Sequence, residues 1–367
     1  MKKTLIALAI ASIAATSANA VTIFENQNGT KVDLTGSARF AWKLESGHEN
    51  YANGDQDSFK EHHAVANNGS RFGFKITQDL GNDFYALGNV EWRFRGEAES
   101  QHNFDGIYAR QLYAGIGHKQ FGELTYGNMT TVTDEVKQTD LANTLSLSDG
   151  LLNSASRRVL QYTYKGIEGL KVGAYVGGHS GKGNTGHALT NDRKNIWGLA
   201  AIYKLALAEN QDITFGTGLS RERLNQANDS TYSNTAYSFG TAYRFDKTTV
   251  GLDLERAEVK DQGVVGNKRV KDEVRTVIKQ GLTDAWNVYA MYAHKTNRLD
   301  AVSAASDAKQ VRNEYMLGTE YTVKPVSFLK VKGFLEWQTN RVRNYAQDVR
   351  TTKYTDNVTV VGLRAYW

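Results

Sequence analysis

The chain has 367 residues with no Cys, one Pro, 34 Gly and a large aromatic complement of 14 Phe, 19 Tyr and 6 Trp. Without Cys neither a disulfide framework nor a thiolate metal site can form, and a charged share of 23% beside so many aromatics excludes a disordered chain. A mean hydropathy of −0.50 excludes a bundle of membrane-spanning helices, and a net charge of +5 without a basic stripe gives no footing for nucleic acid.

The first twenty residues read as an export signal. Lys2 and Lys3 form a charged start, Leu5 to Ala15 is apolar, and Ala18-Asn19-Ala20 is a small-x-small cleavage site. Residues 1–20 are therefore expected to be removed and residues 21–367 to form one barrel domain. The lack of Cys suits an oxidising compartment, where a stray thiol would be a liability.

Beyond Val21 the organising signal is a period of two. In 31–45 the even positions Val32, Leu34, Phe40, Trp42 and Leu44 face the odd positions Lys31, Asp33, Arg39, Lys43 and Glu45. The stretch 70–80 sets Phe72, Phe74 and Ile76 against Arg71 and Lys75, and 84–97 sets Val90, Trp92 and Phe94 against Glu91, Arg93 and Arg95. In 107–119 the pattern is mixed, because Leu112 and Ile116 share the parity of Arg110; protein covering both faces is the expectation there. Further segments follow at 121–130, 157–165, 169–178, 196–205, 211–223, 234–245, 248–259, 271–281, 286–297, 311–323, 328–340 and 355–367.

These sixteen segments each approach the roughly 9 to 11 residues that cross a bilayer when tilted. Short turns, such as Gly81-Asn82-Asp83, Asp246-Lys247 and Lys324-Pro325, alternate with longer polar connections at 46–69, 131–156, 179–195, 225–234, 296–310 and 339–354. An even strand count with short turns on one side and long loops on the other is the pattern of an up-and-down transmembrane barrel. A soluble β-sandwich or propeller would show the same alternation. Aromatic residues near segment ends (Trp42, Tyr85, Trp197, Tyr243, Trp286, Tyr321, Trp337, Trp367), the export signal and the absence of a blade-length repeat favour the membrane.

The stretches "NQNGTKVDLTGSARF", "SRFGFKI", "NVEWRFRG", "RQLYAGIGHKQFGELTYGN" and the ending "VGLRAYW" resemble the general diffusion porins of Gram-negative outer membranes, most closely those of the Pasteurella and Haemophilus group. The resemblance implies an all-β fold, a 16-stranded antiparallel transmembrane β-barrel with an infolded third external loop. It implies a homotrimer in the outer membrane, in contact with lipid including lipopolysaccharide. The insertion machinery would read an aromatic C-terminal residue, here Trp367 where relatives commonly have Phe.

A sixteen-stranded barrel is too wide for side chains to fill, so it leaves an aqueous channel unless something narrows it. The candidate is 131–150, which carries Asp134, Glu135, Asp140 and Asp149 against Lys137. By resemblance Asp140 in "QTDL" matches an acid of the infolded loop, although the family's usual loop-tip motif is absent; Asp134 and Glu135 complete the acidic set. The resemblance also implies a basic ladder on the opposite wall, matched by Arg71 and Arg110 and, with Arg158 competing, by Arg157. Ser37 stands where many relatives have Lys. Strand parity independently sends Arg39, Arg71, Lys75, Arg93 and Arg95 to the lumen.

Other patterns lead nowhere from sequence alone. His62-His63 point to different sides and show no third metal ligand, and "GGHSGKG" at 177–183 lacks the spacing and following helix of a phosphate loop. No nucleophile elbow occurs, so neither an enzyme nor a cofactor is expected. The expected function is a water-filled channel for passive diffusion of ions and small hydrophilic solutes. The alternative is a substrate-specific channel or a surface-adhesive barrel.

Overall fold

The computed structural model describes residues 20–94, 106–180, 193–226 and 230–367. In chain order the strands are β1 (Val21–Glu25), β2 (Thr30–Tyr51), β3 (Gln56–His62), β4 (Ala66–Asn67), β5 (Arg71–Gly81), β6 (Phe84–Phe94), β7 (Ile107–His118), β8 (Gly122–Thr130), β9 (Ala155–Ile167) and β10 (Leu170–Gly177). There follow β11 (Arg193–Ala208), β12 (Gln211–Asn225), β13 (Thr231–Phe245), β14 (Thr248–Lys260), β15 (Lys268–Gly281), β16 (Trp286–Asp300), β17 (Ala308–Val326), β18 (Leu329–Ala346) and β19 (Val349–Tyr366). Every pairing is antiparallel. Sixteen of the strands close a barrel that runs from β2 to β5, through each successive strand to β19, and back to β2. The short β1, β3 and β4 all pair with β2.

The period of two decides which face meets lipid. Along β18, Leu335 and Trp337 point outward while Glu336 between them is fully buried. On neighbouring strands Leu317 is 56% exposed and Leu363 50%, the condition of apolar side chains that face hydrocarbon rather than water. Trp286, Tyr321, Trp337 and Tyr243 lie on this outer face. Tyr85 does not belong to the girdle expected for it: it points inward, where its hydroxyl donates to Glu123 at 2.7 Å.

Two expectations about connections and parity change. The long loop expected over 339–354 is strand, because β18 and β19 continue to a two-residue turn at Gln347-Asp348, whose φ values of 49° and 61° match the right-handed twist of the hairpin. The mixed parity near Leu112 has a local cause. The β6–β7 register shifts beside Glu91, where Gln111 pairs with Glu91 and Ala109 with Trp92, leaving Arg110 as the extra residue of a bulge. Arg110 thus faces the lumen while Leu112 and Ile116 face outward, 57% and 48% exposed.

The apolar core sits between residues 131–154 and the inner wall. Val132, Val136, Leu151 and Leu152 pack with Val159, Tyr175, Ile196 and Ala236. Leu147 packs with Val277, Tyr289, Met291 and Met316, and Leu145 reaches Phe334, Val358 and Val360. Glycine on the wall makes this approach possible, since a Cβ at Gly216 or at Gly240 would collide with the carbonyl oxygen of Val136.

Candidate functional site

Residues 131–154 leave β8 through a 3₁₀ turn at Val132–Val136 and return to the sheet at β9. They lie against the lumen-facing parity of the wall, held mainly by their own backbone N–H groups donating to wall carboxylates. Gln138 N–H donates to Asp253 Oδ1 at 2.8 Å, and Thr139 N–H donates to Asp253 Oδ2 at 3.0 Å. Asn143, Thr144 and Leu145 donate three consecutive N–H groups to Glu336 at 2.5, 2.9 and 2.8 Å. Backbone amides bound to ionised oxygens are among the stronger hydrogen bonds available to a chain without helix or sheet partners.

Asp253 and its neighbours Glu255 and Glu273 need a counter-charge because they are buried, and Arg275 supplies it. Its fully buried guanidinium donates to Asp253 at 2.9 Å, Glu255 at 3.1 Å and Glu273 at 2.5 Å. Its Nε donates to Thr139 Oγ1 at 3.1 Å. A second node is Asn143, which donates to Glu320 and receives Lys332 Nζ at 3.1 Å. A third is Asp149, bound by Lys295 at 2.7 Å and by Arg312 at 2.6 Å.

The acids expected to project from this segment are not equivalent. Asp134 and Asp140 share Lys137, at 3.5 and 3.9 Å, while Glu135 is ion-paired with Lys171 on β10. Burial pushes the Asp134 carboxyl above its ordinary value, outweighing the pull of Lys137 and Arg110. Asp149 moves the other way: burial raises it, but Lys295 and Arg312 together hold it below its ordinary value.

The structure brings Arg39, Arg71, Arg93 and Arg110 onto one stretch of wall. Arg71 and Arg93 are direct cross-strand partners, as are Arg39 and Arg364. Like charges in such positions repel, so they persist only with compensation. Glu91 provides part of it, accepting from Arg110 at 2.9 Å and lying 3.6 Å from Arg71. Arg39 also stacks over Tyr366 at 5.4 Å, and its Nε donates to Ser37 Oγ. Arg157 lies at the bulge where β8 and β9 shift register, with its carbonyl accepting from Arg193. Arg95 lies outside the described residues.

Sequence reasoning missed Arg364, which joins the basic wall to the crossing segment by donating to the Asn143 carbonyl and to Asn68 Oδ1. Its signal was present, for it stands between the outward Leu363 and Ala365. Asp253, Arg275 and Glu336 likewise occupy lumen parity, but nothing local says what they hold. At the barrel seam Trp367 exchanges two backbone hydrogen bonds with Gly36, at 2.8 and 3.1 Å.

This arrangement sets fixed charges of both signs on the inner wall of the barrel, with residues 131–154 hydrogen-bonded to one side of it. A family model described as Gram-negative porin matches residues 5–357. Across 388 aligned positions the chain is 31% identical to the major outer membrane protein of Pasteurella multocida strain Pm70, covering all of both chains. Two solved structures, each 17% identical, share the fold. The trimer form of in-vitro folded OmpT, an outer membrane protein of Vibrio cholerae, superposes with a TM-score of 0.62 over 92% of this chain and 100% of its own. An anion-selective porin from Comamonas acidovorans superposes with a TM-score of 0.65 over the same shares.

Proposed function

From the premise that the chain belongs to the Gram-negative porin family, outer-membrane proteins whose water-filled channels pass ions and small hydrophilic solutes by diffusion, we propose that residues 131–154 and the Arg39–Arg71–Arg93–Arg110 wall form its constriction. The observation that carries this reading is the seat of the segment: the N–H groups of Gln138 and Thr139 donate to Asp253, and those of Asn143, Thr144 and Leu145 to Glu336, on the inner wall. As a passive conduit it performs no catalysis and needs no cofactor.

The charges set a weak preference. Five guanidiniums (Arg39, Arg71, Arg93, Arg110, Arg364) face one wall carboxylate, Glu91, whereas the acids Asp134, Glu135 and Asp140 face Lys137 and Lys171. The surplus on this stretch of wall is positive, so ions passing it meet a slight preference for anions. Reversal potential across a planar bilayer in a low-salt KCl gradient tests this. A potential of the sign set by K⁺ would reject the assignment.

Assembly as a homotrimer is part of the same proposal. The bulge at Arg110 removes the parity of Leu112 as a reason for it. Support comes instead from an aromatic patch on the outer face of β5 and β6, where Phe72 stacks on Trp92 at 5.3 Å and Phe74 meets Trp92 edge-on at 6.3 Å. Removal of residues 1–20 is proposed as well. Val21 pairs at Leu34 and Trp367 at Gly36, so cleavage after Ala20 sets the new α-ammonium in line with the terminal carboxylate along β2.

A further inference from the structure

We propose that Glu45, Glu61 and His63 bind one divalent transition-metal cation, of which Zn²⁺ is the probe, at the external mouth of the channel. The two elements that hold them are β2 and β3. Their register sets Glu45 directly opposite Glu61 and Leu44 opposite His62. The His63 amide donates to the Lys43 carbonyl at 3.0 Å, which keeps the chain beside β2 one residue past the strand and brings the imidazole onto the face of the two carboxylates. The third ligand that the adjacent histidines lack in sequence comes from this pairing.

The donor geometry suits a small cation. His63 Nε2 lies 2.9 Å from Glu45 Oε2 and 3.8 Å from Glu61 Oε2, and all three donor atoms lie within 4.8 Å of one another. In a tetrahedral site with metal bonds of about 2.0–2.1 Å, neighbouring ligand atoms sit about 3.3 Å apart, between the two measured separations. One imidazole and two carboxylates form a mixed nitrogen and oxygen set that leaves a fourth position for water. Calcium, which takes six to eight oxygens, is poorly served.

Electrostatics gives the site a reason to be filled. Carboxylates directly opposite one another across an antiparallel pair repel. Lys43 relieves only one side, pairing with Oε1 of Glu45 and leaving Oε2 toward His63. On the neighbouring strand Asp356, opposite Gly47, has a buried Oδ1 without a hydrogen-bond partner, which adds negative potential on the same face. The His63 side chain is only 9% exposed and therefore held, while Glu61 at 59% is free to close on a cation. Glu45 shares the inward parity of Arg39 and Lys43, so bound metal adds two positive charges to the pore mouth.

Isothermal titration of ZnCl₂ into the folded full-length barrel in detergent tests the site. One Zn²⁺ per protomer is expected, with affinity lowered roughly tenfold or more by His63→Gln and by Glu61→Gln, since even an outer-shell partner of a metal is typically worth 10- to 100-fold. His62→Gln, at an exposed neighbour opposite the outward Leu44, should bind as the parent does. Heat-modifiable migration on a gel confirms that each variant is folded, and the exposed Glu61 gives a variant with little structural burden. In bilayers Zn²⁺ should move the reversal potential toward anions in the parent and not in His63→Gln. No saturable binding, or an equal loss in His62→Gln, overturns the site. The channel reading rests on charges elsewhere on the wall and would stand in either case.

Discussion

Thr139 and Asp253, 114 residues apart in sequence, are joined by two hydrogen bonds: the Thr139 amide and hydroxyl both donate to Asp253 Oδ2, at 3.0 and 2.5 Å. The same hydroxyl accepts from Arg275 at 3.1 Å, so one side chain of the crossing segment sits inside an ion cluster of the wall. That cluster is fully buried. Asp253→Ala removes the acceptor and leaves the amides of Gln138 and Thr139 unpaired, at about 1.5–3 kcal/mol for each hydrogen bond to a charged group. The variant should still fold, because the barrel ladder is untouched. Its single-channel current should become noisier and its mean conductance higher as the segment loosens, and recordings indistinguishable from the parent would show that the Asp253 contact does not hold the segment in place.

Glu336 offers a sharper comparison. It accepts three consecutive amides and also the Tyr289 hydroxyl at 2.7 Å. Glu336→Gln keeps the volume but trades one acceptor oxygen for a donor, so at most part of this set survives. The segment should loosen more than with Tyr289→Phe, which removes one donor to Glu336 and the acceptor of the Asn143 side-chain amide but leaves all three backbone amides their carboxylate. The check is the rate of protease cleavage within 139–146 in detergent, expected in the order Glu336→Gln, Tyr289→Phe, parent.

The barrel itself was legible because lipid imposes a rule on each strand separately. Leu335, Glu336 and Trp337 announce their faces without knowledge of any neighbour. Leu112 and Ile116 were misread as lying where protein covers both faces because the bulge at Arg110 shifts parity by one residue, and no residue type marks that insertion. The turn at Gln347-Asp348 escaped notice because positive φ falls on Gln and Asp rather than on an Asn-Gly pair. The seat of 131–154 was hidden for another reason: Asp253 and Glu336 looked like ordinary lumen charges, and their partners are set by a crossing path more than a hundred residues away. Glu45, Glu61 and His63 converge only through the β2–β3 register.

Trp367 closes the seam between β19 and β2 through its backbone pair with Gly36, and its indole covers the space where a Gly36 side chain would stand. Deleting it removes both bonds and the terminal aromatic. Outer-membrane levels should fall several-fold with periplasmic aggregates, whereas Trp367→Phe should be tolerated. Comparable surface abundance of the deletion and the parent would count against an insertion role.

Converting Arg71 and Arg110 together to Ser removes two positive charges and leaves Glu91 without its closest partners. Reversal potential should move toward cations. The shift should shrink between 0.1 M and 1 M salt, as the Debye length falls from about 10 Å to about 3 Å. A shift that persists undiminished at 1 M would point to altered pore shape rather than fixed charge.

Asp134 gives the channel a dependence on pH whose sign follows from its surroundings. Burial raises its carboxyl above the ordinary value of 3.8, so its neutral form is favoured and it takes up a proton earlier than a solvated aspartate as pH falls. Asp149 is held below its ordinary value by Lys295 and Arg312 and keeps its charge over the same range. As pH falls, the negative charge that Asp134 holds beside Lys137 is therefore lost earlier than that of a solvated aspartate. Reversal potential should drift toward anions as Asp134 takes up its proton. Asp134→Asn should begin at the shifted value and lose this early drift, while Asp149→Asn should keep it. If the drift survives unchanged in Asp134→Asn, another carboxylate carries it and Asp134 does not face the permeating ions.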